Sequence, residues 1–142
     1  MKKQTNNAVS LLEEGDKVIL DFCKLRYYFN RGEDIMPVVV QDAATKKVLM
    51  LAYANREAVS ITLKTGLATF WSRSRKKIWV KGGVSGNLLK VMSVLADCDN
   101  DALLYIVKLP KGGGACHEED KKGNRRQSCF YRRLVIAKNG GE

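Results

Sequence analysis

Apolar side chains along this chain recur with two periods, and the change from one to the other marks its elements. Between Asp16 and Tyr28, Val18, Phe22 and Leu25 stand at i, i+4 and i+7, which predicts an amphipathic helix with Asp16 as N-cap. Cys23 falls on or beside that apolar face and reads as a small buried hydrophobe. Pro37 then opens a β-branched run, Val38 to Val40. Turn chemistry at Asp42 to Lys47 separates it from Val48 to Tyr53, so the pair predicts a β-hairpin. Asn55 is suited to cap a short helix carrying Ala58, Ile61 and Leu63, with Gly66 as its stop. Strands are expected at Ala68 to Trp71 and Ile78 to Val80, before Gly82, Gly83 and Gly86 break the pattern. Leu88 to Ala96 and Ala102 to Leu109 predict a second hairpin around an acidic turn, Asp97 to Asp101. There is no internal repeat. The pattern implies an α+β fold with a mainly antiparallel, twisted or barrel-like sheet and short flanking helices.

Length and charge narrow the function classes. The 142 residues make about one domain, 45% hydrophobic and 28% charged, enough to bury a core without disulfides and too apolar for general disorder. The expected division is an N-terminal extension over 1–34, one domain over 35–136 and a polar tail over 137–142. Twenty-five Lys and Arg against fifteen Asp and Glu leave a net charge of +10, which attracts phosphate-bearing small molecules or nucleic acid. No apolar run approaches the ~18 residues of a membrane span, and no signal-like h-region follows Met1. A cytoplasmic, reducing setting is expected, in which Cys23, Cys98, Cys116 and Cys129 are thiols or metal ligands rather than a disulfide framework.

Asp97, Asp99 and Asp101 occupy alternate positions and point the same way in extended backbone, with Cys98 pointing away. In a flat strand i and i+4 lie roughly 13 Å apart, so sharing an ion requires the chain to curl, which a hairpin turn supplies. Two readings stay open: a Mg²⁺ site, or a solvated acidic turn neutralised by Lys and Arg. The EF-hand reading fails, because Ala102 stands where the loop needs Gly and Lys108 where it needs a bidentate Glu. Cys116 follows Gly112 to Gly114, which permit close backbone approach, and precedes His117, the single histidine; Cys129 lies thirteen residues on. With Cys98 these give the three ligands of a catalytic zinc, or three unrelated thiols. Ser72, Arg73, Ser74 and Arg75, flanked by Trp71 and Trp79, could grip phosphate and stack on a base, or form a plain exposed turn. Lys121, Lys122, Arg125 and Arg126 read as a mobile, solvated loop.

Taken in order, IMPVVVQD at 35–42, VLMLAYAN at 48–55, FWSRSRKKIWVKGGVSGN at 70–87, DCDNDALL at 97–104, ACH at 115–117 and SCFYR at 128–132 resemble phosphoribosyl-AMP cyclohydrolase, an enzyme family of histidine biosynthesis. The resemblance implies an obligate homodimer with Zn²⁺ and Mg²⁺ as cofactors and phosphoribosyl-AMP as small-molecule substrate. It implies Asp97, Asp99 and Asp101 as magnesium ligands and Cys98, Cys116 and Cys129 as zinc ligands, Cys98 reaching across from the other subunit. The implied reaction opens the N1–C6 bond of a cationic adenine ring to give a formimino carboxamide ribotide. Hydroxide generated on zinc would attack C6. His117 is expected to shuttle the proton, or else to orient Cys116. Arg73, Arg75, Ser72, Ser74 and Ser85 are the expected phosphate contacts, with Trp79 near the base.

Two departures stand out. Twelve residues separate Cys116 from Cys129, more than is common in the family, and Gly83 stands where an acidic residue is common. The chain is also too short for the pyrophosphohydrolase domain sometimes fused after this one, so a monofunctional enzyme is expected, with no membrane or nucleic-acid partner. The rival reading is a basic RNA-binding module held by structural zinc, although no RNP, KH or C₂H₂ pattern is present.

Overall fold

The computed structural model describes residues 12–13, 16–17, 19–26 and 33–137. Two short strands, β1 (Leu12–Glu13) and β2 (Asp16–Lys17), pair antiparallel at the start. The frame is built from β3 (Met36–Asp42), β4 (Val48–Ala54), α1 (Arg56–Thr65), β5 (Thr69–Ser72), β6 (Lys77–Val80), β7 (Lys90–Ala96) and β8 (Leu103–Lys108).

The two expected hairpins form, and their β3 and β8 strands lie side by side. The sheet order is β4-β3-β8-β7, antiparallel within each hairpin, but β3 and β8 run parallel, with Val38 beside Leu103 and Asp42 beside Val107. The sheet is therefore mixed and open rather than mainly antiparallel and barrel-like. The long excursion through β4, α1, β5, β6 and β7 supplies the crossover that a parallel neighbour requires. Strand β3 buries alternate residues, Met36, Val38, Val40 and Asp42, as period-2 patterning demands. Opposite them, Phe70 of the β5–β6 hairpin packs on Tyr105 and Trp79, with ring centroids 5.8 and 5.0 Å apart.

Helix α1 begins and ends as its sequence predicts. The Ala58 N–H donates to Asn55 Oδ1 (2.9 Å), and Gly66, at φ +72°, closes the far end in the left-handed region. Its buried face is Ala58, Val59 and Thr62, while Leu63 is exposed. Among the described residues this is the single α-helix.

The helix expected over Asp16 to Tyr28 does not form where the residues are described; Val18, Tyr27 and Tyr28 lie outside them. Asp16 belongs to a strand rather than a cap, and residues 22–26 make successive turns. The reason is tertiary. Leu20 and Phe22 are both buried, two residues apart, and the Asp21 N–H donates across the molecule to Asn100 O (2.8 Å). Cys23 is half-buried beside the Arg26–Asp34 ion pair. The tail residues 138–142 lie outside the described residues.

Candidate active site

The acidic turn between β7 and β8 is curled by its own first carboxylate. Asp97 Oδ1 accepts from the Asp101 N–H (3.1 Å) and the Ala102 N–H (3.2 Å), while the Asn100 N–H donates to Asp97 O (3.1 Å). Asn100 takes φ +60° at the tip, a conformation asparagine tolerates. As a result one oxygen each of Asp97, Asp99 and Asp101 lies within 4.8 Å of the others. Oxygen–metal bonds of ~2.1–2.5 Å to a shared hard cation can span that spread, so the carboxylates fit magnesium. Burial pushes the Asp97 carboxyl upward, but the hydrogen bonds from Asp101 and Ala102 and the Lys24 charge outweigh it and hold the group below its usual range. Cys98 is exposed.

The other two cysteines meet through a second local structure. The Ala115 N–H donates to Gln127 O (2.9 Å) and the Cys116 N–H to Arg126 O (3.3 Å), which joins the two cysteine segments edge to edge. This pairing needs glycine: a Cβ on Gly114 would stand 2.4 Å from Arg126 O. The Cys129 N–H donates to Leu49 O (2.7 Å), anchoring the second segment on β4. Cys116 is buried and its Sγ accepts from the Glu118 N–H (3.4 Å). Burial raises the Cys129 thiol, and the neighbouring Cys116 raises it further, while the Lys81 ammonium opposes both. Paired sulfurs beside a lysine suit a soft divalent ion, which converts such thiols to thiolates.

The stretch between these cysteines closes into a hydrogen-bonded hairpin, so only part of the basic cluster expected in a solvated loop is exposed. Glu119 bridges Arg125, the Arg126 N–H donates to Glu118 O (3.0 Å), and Asp120 Oδ1 accepts from Lys122 and Asn124. Arg125 Nη1 donates to Cys116 O (3.2 Å), and the Arg126 guanidinium lies 3.9 Å from the Tyr131 ring centroid. Both arginines are half-buried, and Lys121 and Lys122 are exposed.

The strand registers sort the candidate residues between two ends of the sheet. Asp97 to Asp101 precede β8 and Cys116 follows it, so the six residues Leu103–Lys108, roughly 20 Å of strand, separate Cys98 from Cys116 within one chain. Arg73 belongs to the acidic end, its guanidinium 4.1 Å from the ring centroid of Tyr53 near the close of β4. Ser72, Ser74 and Arg75 share that turn: Ser72 Oγ accepts from the Arg75 N–H (3.1 Å) and lies 3.4 Å from Ser74 Oγ. Ser85 belongs to the cysteine end, in the turn Lys81 to Asn87, whose Asn87 Oδ1 would be 2.8 Å from a Cβ on Gly113. Trp79 is half-buried in β6, with the Lys81 ammonium 6.0 Å from its ring centroid. The His117 side chain is 83% exposed, and its Nε2 is 3.2 Å from Glu118 Oε1.

Sequence reasoning passed over Lys81 and Lys24. Lys81 opens the KGGVSG turn, a position at the head of a glycine-rich loop that could have singled it out. Burial pulls its ammonium downward; the Cys129 and Cys116 thiols pull it up and Arg125 pulls it down. Lys24 gave no sequence signal, because its partners are distant in the chain.

A family model for phosphoribosyl-AMP cyclohydrolase matches residues 50–131, which contain both cysteine segments and the acidic turn. A phosphoribosyl-AMP cyclohydrolase of Archaeoglobus fulgidus is 58% identical over 100 residues, covering 70% of this chain and 85% of the relative. Another, from Cenarchaeum symbiosum, is 48% identical over 107 residues, covering 75% and 92% respectively. A histidine biosynthesis bifunctional protein of Thermotoga maritima is 54% identical over 98 residues, or 47% of its length. With more than half its length matched and such identity across most of two relatives, the chain belongs to the phosphoribosyl-AMP cyclohydrolase family.

Proposed function

We propose that this member of the family opens the adenine ring of phosphoribosyl-AMP at N1–C6 in a site shared between two copies of the chain. Cys116 and Cys129 of one copy and Cys98 of the other would hold zinc, and Asp97, Asp99 and Asp101 would hold magnesium. The observation that carries the reading is that Cys98 precedes β8 and Cys116 follows it, with Cys129 anchored at Leu49, so that roughly 20 Å of strand lies between Cys98 and the end of the sheet that carries the other two cysteines. A second copy closes that gap, because it can present its acidic end to the cysteine end of the first.

Zinc, when bound by these thiolates, lowers the pKa of water to about 7 and thus supplies hydroxide at neutral pH. The remaining steps belong to side chains. The Arg73 and Arg75 guanidinium groups, with Ser72, Ser74 and Ser85, bind the two phosphates, a role in keeping with the +10 charge. Trp79 offers a flat face to the purine. His117 Nε2, on an exposed ring tethered by Glu118, takes and returns the proton as the N1–C6 bond breaks. No helix among the described residues is long and apolar enough to cross a membrane. A cytoplasmic, reducing setting, which keeps the thiols available as ligands, is part of the proposal.

Complementation tests the shared site. Co-expressed Cys98→Ser and Cys116→Ser chains, each inactive alone, should regain about a quarter of wild-type ring-opening activity, since half the dimers are mixed and each mixed dimer keeps one intact site of two. No recovery in mixed dimers verified by mass would exclude the shared centre.

A further inference from the structure

The acidic turn already holds a cation belonging to the chain itself. Lys24 Nζ lies 3.4 Å from Asp101 Oδ2 and donates to Asp99 O (3.0 Å). The backbone bond from Asp21 to Asn100 O (2.8 Å) fastens the segment carrying Lys24 to the tip of the turn. Asp21 and Lys24 precede the 50–131 stretch that the family model matches, so the contact joins the N-terminal segment to the site. The Lys24 side chain is 41% exposed and that of Asp101 19%, so the pair is only partly screened by solvent.

Three carboxylates within 4.8 Å repel one another, and positive charge is needed to offset this. An ammonium against Asp101 partly meets that need. A divalent ion held by the same carboxylates would meet it better, but would have to displace the ammonium or bear its repulsion. Lys24 thus stabilises the cation-free turn and opposes the cation-bound one. We infer that Lys24 is a positioning residue that acts as a placeholder counter-ion, keeping the Asp97–Asp101 turn curled without metal and setting the affinity for magnesium by competing with it.

The inference rests on the reading of the three carboxylates as a magnesium site, and the test separates the two. Mn²⁺, a paramagnetic stand-in for Mg²⁺, is titrated into zinc-loaded protein and the free ion is read by electron paramagnetic resonance, with Asp99→Asn marking the site. Lys24→Met is expected to bind Mn²⁺ about three- to tenfold more tightly than wild type, the range of a partly exposed ion pair, and Lys24→Arg to restore the wild-type value. Cation-free Lys24→Met should also melt below wild type, the gap closing at saturating Mn²⁺. A purely structural role for Lys24 predicts weaker binding instead. Lys24→Gln is measured in parallel, so that a folding defect in one variant leaves the comparison standing. Unchanged or weakened Asp99-dependent binding in the Lys24 variants overturns the inference alone. Absence of Asp99-dependent Mn²⁺ binding in wild type overturns the magnesium reading and the inference with it.

Discussion

Asp42 shows how one side chain fixes a turn. It is buried at the end of β3, and its carboxylate accepts from Thr45 Oγ1 (2.7 Å), the Thr45 N–H (3.2 Å) and the Ala44 N–H (3.4 Å). The Thr45 hydroxyl chiefly holds its pKa below the ordinary 3.8, against the upward pull of burial and with help from the two N–H groups. A depressed carboxyl stabilises the fold above its unfolded pKa and loses that contribution as pH falls through the lower folded value. Asp42→Ala should therefore cost about 1–3 kcal/mol at pH 7, measured by urea unfolding, with the gap to wild type narrowing below pH 4. A gap independent of pH would show that packing rather than charge is lost. His117 is the complementary case, since its exposed ring does no visible work for the fold. His117→Ala is expected to lower turnover about a hundredfold or more while zinc content and melting temperature stay at wild type, checked by metal analysis beside the activity assay.

At the scale of elements, glycine decides how closely segments approach and how they end. Gly114 lies where the two cysteine segments pair, and Gly114→Ala would drive its methyl group into Arg126 O. The expected result is a loss of zinc stoichiometry together with stability, read by metal analysis and calorimetry. At Gly66 nothing stands within 4 Å of an added Cβ, so only the φ of +72° is penalised. Gly66→Ala should cost about 1 kcal/mol and leave zinc content unchanged. The contrast separates a glycine required by the site from one required by a helix end. Both were legible as glycines of interest. Which one the site needs was not, because the partner of Gly114 is Arg126, twelve residues away and reached through the hairpin that closes between the cysteines.

For the whole molecule, the open sheet has two chemically distinct ends. The acidic turn and Arg73 lie at one, and the Cys116–Cys129 pair, Lys81 and Ser85 at the other. Exposed apolar side chains continue beyond Cys129: Phe130 is 62% exposed, and Leu134, Val135 and Ile136 are each at least 88% exposed. So much apolar surface in one segment is costly in water and suits burial against another chain. Under the shared-site proposal, wild type should sediment as a dimer, and Leu134→Asp/Ile136→Asp should shift it toward monomer. Ring opening should become concentration-dependent in parallel. A double variant that is monomeric yet fully active per chain would contradict the proposal.

Local patterning alone determined much of this protein. The β3–β4 and β7–β8 hairpins, the caps of α1 and the ordered motifs that carry the family resemblance depend on neighbours within a few residues, which the chain order displays directly. The curl of the acidic turn was also accessible, since Asp97 bonds to its own loop. Contacts that close over long sequence distances were decided only by the tertiary structure. The parallel β3–β8 pairing made the sheet mixed, and the bond of Asp21 to Asn100 fixed a turn where apolar spacing suggested a helix. The Lys24–Asp101 pair and the division of the site residues between two ends arise in the same way. Propensity and spacing report short-range free energies, whereas these features follow from burial and hydrogen bonding between segments that meet only once the chain has folded.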